Sequence, residues 1–324
     1  STNHNYVLDR WLTSNDGGGG TFAVQQVEDG PAEFNYSHKV TTSVVDDGGA
    51  DSFCVMQQRI EGYNGNHLGF GTANAKTVTI SFWVKSSLTG TFGASLVAGN
   101  YDKLYVFQYT ISSANTWEKK TVTIAGPTSG GTYYKSNSRY CVLYIDLGSG
   151  SNAEASAANN WAATATWMYG HRIAGNQKVS TNVNATWQIT GVQMEISDYG
   201  ATDFEHLPYG TELARCQRYY FKLVEGTPKA IGVGGWYSGS LFTTHVHFPV
   251  TMRTTPTLEK TNGSDYYRVW SASGSQDGDN FIVERGSETG ITLDFNSGFS
   301  GTQGNAGNIN TNNAAAKVAF AAEL

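Results

Sequence analysis

At 324 residues the chain has room for about two domains of roughly 150 residues each, and its 39% hydrophobic content can fill real cores. Charged residues make up only 15%, against roughly 25% in an ordinary soluble protein, and the net charge is −6. No Lys/Arg run exceeds two residues and no apolar run approaches the roughly 20 residues that cross a bilayer, so nucleic acid and membrane insertion are excluded as expected partners.

Gly (38), Tyr (18), Phe (15) and Trp (8) fill the space that charge leaves. Aromatic and β-branched residues fit a pleated surface, and Gly permits the positive φ of tight turns, so the composition reads as all-β. Along the chain, Val78, Ile80, Phe82 and Val84 alternate strictly with Thr79, Ser81 and Trp83, the pattern of a half-buried strand. Tyr105, Phe107 and Tyr109 alternate too, as do Val122 and Ile124, then Cys141, Leu143 and Ile145. Trp187–Ile189 and Val192–Met194 continue the pattern, and the segments 17–20, 46–49 and 126–131 supply turns between runs. Many short strands with such turns predict a jelly-roll β-sandwich over 1–208. The break at Leu207-Pro208-Tyr209-Gly210 predicts a second, smaller β-sandwich domain over 209–324. Thr211 is placed to cap one helical turn. Strands are expected at 217–224, 242–250, 266–270, 281–284 and 291–295, with a long Gly/Asn-rich loop over 296–313 and a last strand within 315–324.

Cys54, Cys141 and Cys216 are odd in number and lack metal or disulfide spacing, so they read as buried free thiols. That suits folding in a reducing cytoplasm. The start at Ser1, in strand-like sequence and without a signal peptide, reads as a fragment or processed product.

Several stretches, taken in order, resemble a family of phage-encoded tail fibre and minor tail proteins. They are Tyr6-Val7-Leu8-Asp9-Arg10-Trp11, Gln58-Arg59-Ile60-Glu61-Gly62, Ile80-Ser81-Phe82-Trp83-Val84-Lys85, the segment 116–124, Ile189-Thr190-Gly191-Val192-Gln193-Met194-Glu195 and Phe204-Glu205-His206. Cys216-Gln217-Arg218-Tyr219-Tyr220, the segment 249–257 and the terminal Ala321-Ala322-Glu323-Leu324 extend the resemblance over most of the chain. It implies a jelly roll similar to a carbohydrate-binding module, followed by a C-terminal β-domain. It further implies a virion protein assembled in the host cytoplasm, a homotrimer in contact with other virion proteins, and recognition of a host-surface glycan. The stretch Asn152–Gln177 matches the family less well.

No phosphate loop, dinucleotide fingerprint, zinc-protease helix or nucleophile elbow occurs, and the chain reads as a binding protein, not an enzyme. Two alternatives stand beside host recognition. One is a purely structural head-fibre, decoration or tail-assembly protein. The other is a glycan depolymerase working through paired carboxylates. A sugar site needs aromatic faces, and Trp161, Trp167, Tyr169 and His171 cluster in one loop-like stretch. The same aromatics would also serve to pin the insertion onto the sheet. Trp83, on the polar face of its strand, is a second sugar-binding candidate. The resemblance to carbohydrate-binding modules implies a possible structural Ca²⁺ beside the first strand, with Asp9 and Glu195 as ligands and Asp203 in reserve. His245 and His247 share one strand face and would need a trimer axis to complete a metal site.

Overall fold

The computed structural model describes residues 4–8, 10–164 and 170–324. The chain is all-β and divides into two compact units, 1–206 and 207–323.

The first unit contains β1 (His4–Leu8), β2 (Trp11–Asp16), β3 (Thr21–Val27), β4 (Ser37–Val44), β5 (Phe53–Glu61) and β6 (Val78–Ser86). It continues with β7 (Gly90–Ala98), β8 (Lys103–Ile111), β9 (Glu118–Ile124), β10 (Arg139–Asp146), β11 (Trp161–Ala163) and β12 (Thr186–Ile196). These form a seven-stranded sheet, β1-β2-β5-β10-β7-β8-β11, and a five-stranded sheet, β3-β4-β12-β6-β9. The two pack as a sandwich. Val78, Ile80, Phe82 and Val84 of β6 point inward and are essentially inaccessible, as their alternation predicts. They meet Cys54, Met56, Leu96, Phe107 and Leu143 of the opposing sheet in one core. Full burial of each such side chain contributes about 1.5–3 kcal/mol.

The seven-stranded sheet is buried on its outer face as well. Phe53, Val55, Val97, Leu104, Val106, Val142 and Tyr144 form a second core there, against Ala155, Ala162 and Ile173 of the insertion. Gly93 of β7 makes room for this cover: a Cβ there would lie 2.8 Å from the Arg172 Cα.

The second unit opens with a nine-residue helix, Tyr209–Gln217, whose N-cap is Pro208. It starts two residues before the predicted cap at Thr211, whose N–H instead donates to the Pro208 carbonyl. There follow β13 (Tyr220–Glu225), β14 (Ala230–Ser238), β15 (Leu241–His247), β16 (Thr257–Lys260) and β17 (Tyr267–Ser271). The last are β18 (Gly274–Gly278), β19 (Asn280–Gly286), β20 (Gly290–Ser297), β21 (Ala306–Thr311) and β22 (Lys317–Ala321). A three-stranded sheet, β13-β22-β16, and a seven-stranded sheet, β18-β17-β21-β14-β15-β20-β19, close on Phe242, Phe281, Phe295, Val318 and Phe320. The predicted loop over 296–313 therefore contains a strand. Asn and Gly have poor intrinsic strand preference, but β21 is paired on both sides, by β14 and β17, and buries Ile309.

Cys54 and Cys141 are buried, and Cys216 is partly exposed. Burial pushes both buried thiols well above the ordinary value, so their thiolates are suppressed. A thiol-specific reagent is therefore expected to label Cys216 in the native chain and to reach Cys54 and Cys141 only after unfolding. Mass mapping of the labelled peptides checks this.

Candidate functional site

The insertion holds two of the predicted sugar-binding residues within the described structure. Trp161 begins β11 opposite Tyr105, and its indole N–H donates to the Ala125 carbonyl at 2.7 Å. Its ring packs on Tyr105 and Phe70, with centroids 5.4 and 6.0 Å away. His171 is wholly buried: Nδ1 bonds the Ser95 hydroxyl at 2.9 Å, and the ring lies 4.3 Å from that of Tyr144. In this position His171 cannot meet a ligand, because the insertion folds it into the core on the outer face of the sheet. Trp167 and Tyr169 lie outside the described residues. Trp83 is half-buried on the outer face of the five-stranded sheet, between Thr190 and Lys119. The structure does not bring it to the insertion's aromatics, which belong to the other sheet. Trp161→Ala is expected to lower stability by about 2–3 kcal/mol, below the value for a fully buried Trp. A thermal melt reads this; unchanged melting with weakened glycan binding would reverse the assignment from anchor to ligand contact.

Of the metal candidates, Asp9 lies outside the described residues. The Glu195 carboxylate accepts the Thr202 N–H at 2.9 Å and the Thr202 hydroxyl at 2.8 Å. Burial would raise its pKa, but these bonds and Gln193 outweigh that and hold it below the ordinary carboxylate value. Asp203 contributes its backbone carbonyl to Gln193. The His245 and His247 rings are 4.6 Å apart on β15, and His245 Nδ1 bonds Thr292. Among the described residues no three His, Cys, Asp or Glu side chains gather into a metal site.

A different site lies at one end of the sandwich. A cavity of about 250 Å³ is lined by Arg10, Trp11, Gln58, Tyr36, His38 and Ile189, among others. Its origin is a change of character along two facing strands. On β4, Thr42 and Val40 point inward and His38 follows in phase; on β5, Cys54 and Met56 are followed by Gln58. Both strands turn from apolar to polar at the same end. Cross-strand pairing sets Gln26, His38 and Ile189 in one row and Trp11 beside Gln58 in the other sheet. On β12 the register slips between Thr190 and Gln193, with Gly191 at φ +59°. Such a bulge bends the strand beside the cavity, and Gly tolerates the left-handed backbone there. A Cβ at Gly191 would also meet the Phe34 ring at 2.6 Å.

His38 is the unusual member. It is 4% exposed, its ring stands edge-on to Trp11 at 6.5 Å, and neither ring nitrogen has a protein hydrogen-bond partner. Burial disfavours the imidazolium and lowers the pKa from 6.5 to about 4, so the ring is neutral near pH 7. A neutral imidazole offers one N–H donor and one lone pair. Arg10-Trp11, Gln58 and the stretch 189–192, far apart in sequence, meet here. Sequence reading missed His38, whose signal was its phase with Val40 and Thr42.

No protein-family model matches the chain, and no curated protein matches it in sequence. Among solved structures, the enzymatically active domain of bacteriophage CBA120 tailspike protein 4 aligns with 58% of this chain at 13% identity and a TM-score of 0.35. The aligned part spans 19% of that tailspike chain. A family 4 carbohydrate-binding module aligns with 58% of this chain and 88% of its own at 18% identity and a TM-score of 0.34. The family 11 carbohydrate-binding module from Clostridium thermocellum, in complex with a mixed-linked tetrasaccharide, aligns with 60% of this chain and 95% of its own. Its identity is 12% and its TM-score 0.31.

Proposed function

We propose that the chain is a non-catalytic glycan-binding protein of a phage virion, of tail fibre type, that recognises a host-surface polysaccharide. The observation that carries this reading is the polar, aromatic-lined cavity at the end of the sandwich, formed by Trp11, Tyr36, His38 and Gln58. Binding sites of this kind are concave and combine aromatic walls with a few placed polar groups. The low charge and high aromatic content suit contact with neutral polar partners at small conformational-entropy cost. The virion assignment, the homotrimer and contacts with other virion proteins rest on the ordered resemblance to phage tail proteins. The reading is of binding without cleavage. The test is an array of bacterial surface polysaccharides probed with the full chain, with the bound polysaccharide then sized by gel filtration. Saturable binding with unchanged polymer length is expected. Shortened polymer would make the protein a depolymerase, and no binding to any polysaccharide would leave the purely structural reading.

A further inference from the structure

Resting on the glycan-binding reading above, we infer that the cavity takes a single uncharged sugar unit at the end of a chain, held by a hydroxyl bonded to the bare ring of His38. Three observations lead there. The first is the orphaned imidazole: a group 4% exposed with neither nitrogen paired by protein. Leaving such a buried group unpaired costs about 1–3 kcal/mol, and a ligand hydroxyl would recover part of it. A hydroxyl both donates and accepts, which matches either nitrogen of the neutral ring.

The second is size. About 250 Å³ is many times the space one water needs and falls just below the roughly 300 Å³ at which drug-sized pockets begin. That is room for one sugar ring. The alternative, an extended chain laid along the outer face of the seven-stranded sheet, meets the insertion, which already covers Val55, Val106 and Tyr144 there. Recognition at the sandwich end therefore engages a terminus.

The third is charge. Arg10 is the sole charged side chain among the described lining residues, and it already has an interaction within the chain. A carboxylate-bearing sugar would lose hydration beside the neutral imidazole. Trp11 supplies the apolar wall for the C–H face of the ring, and Gln58 an amide that both donates and accepts.

The experiment is an NMR titration that follows imidazole nitrogen shifts in the full chain. The probes are glucose, galactose, mannose, N-acetylglucosamine and rhamnose at millimolar concentration, with glucuronic acid as the charged probe. The same chain, His38→Phe and Gln58→Ala are run on the polysaccharide array, and melting curves confirm that each variant folds. A saturable shift at His38 with a neutral sugar is expected, with roughly threefold to tenfold weaker binding in each variant, the equivalent of one hydrogen bond. Polysaccharide binding that persists unchanged in both variants, with no His38 shift, would overturn this inference and leave the glycan-binding reading intact. Preference for glucuronic acid would overturn the uncharged ligand. Failure to bind any polysaccharide would overturn both.

Discussion

Replacement of Arg172 by Met is expected to destabilise the first unit by about 3–5 kcal/mol, the usual cost of breaking one side of a buried ion pair. Arg172 is 1% exposed and lies between the insertion and the sheet it covers. Its guanidinium donates to the Ser149 and Asn176 carbonyls, each at 2.7 Å. It also lies 3.6 Å from the Asp146 carboxylate, which is itself fully buried at the end of β10. Burial raises the Asp146 pKa, and Arg172 is the main group that opposes this. Met keeps most of the side-chain volume but leaves a buried carboxylate and two carbonyls without their cation. The insertion would then loosen, and the apolar face formed by Phe53, Val55 and Tyr144 would lose its cover. For a unit of this size the melting temperature should fall by about 10 °C. Adding Asp146→Asn to Arg172→Met should restore part of the loss, because the buried charge is then gone while the hydrogen bonds to Gly148 and Ser149 can partly survive. A loss below about 1 kcal/mol in the single variant would show that the pair contributes little beyond its own desolvation.

The sequence was most legible where the two faces of a strand differ in polarity. β6 shows its alternation openly because Thr79, Ser81 and Trp83 occupy the other side. It was less legible in β5, where both faces are covered and the alternation dissolves into the continuous run Phe53-Cys54-Val55-Met56. β14 and β21 were missed altogether. Ala230–Ser238 contains three glycines and Ala306–Thr311 is mostly Gly, Asn and Ala, yet they lie side by side near the middle of their sheet. Small residues are needed there: a Cβ at Gly234 would lie 2.0 Å from the Thr243 carbonyl oxygen. Local preference gave no hint of this, because the constraint comes from the neighbouring strand. The candidate site was hidden for a related reason. The aromatic-rich stretch 161–171 drew attention as one continuous segment, whereas the cavity is assembled from single residues on β2, β4, β5 and β12. Each is ordinary alone. Only the shared phase of His38 with Val40, and of Gln58 with Met56, marks them as inward-facing, and that phase acquires meaning once the two strands are known to face one another.

The buried imidazole also makes stability depend on pH, in a direction that can be worked out. His38 has a folded pKa of about 4 against an ordinary 6.5, because burial penalises the charged ring. Between these values the unfolded chain binds a proton at this site that the folded chain does not. The stabilisation is therefore fully present above the ordinary value and is lost as pH falls from about 6.5 toward 4. A depression of this size corresponds to about 3 kcal/mol, at ~1.4 kcal/mol per pKa unit. Carboxylates act over a neighbouring window and must be separated from it. Asp29, Glu118 and Glu195 are held below their ordinary values, so their contribution is lost at still lower pH. Asp146 is raised by burial and has the opposite slope. The difference between the parent chain and His38→Phe cancels these shared terms, provided the variant folds. Urea unfolding at about pH 7 and about pH 4.5 should show the parent losing about 2–3 kcal/mol more than the variant. Phe keeps the edge-on contact with Trp11 and carries no proton, so its own curve should be flatter across this interval. Equal slopes in the two chains would mean that the ring takes up its proton as readily in the folded chain as in the unfolded one, so that burial does not disfavour the imidazolium there.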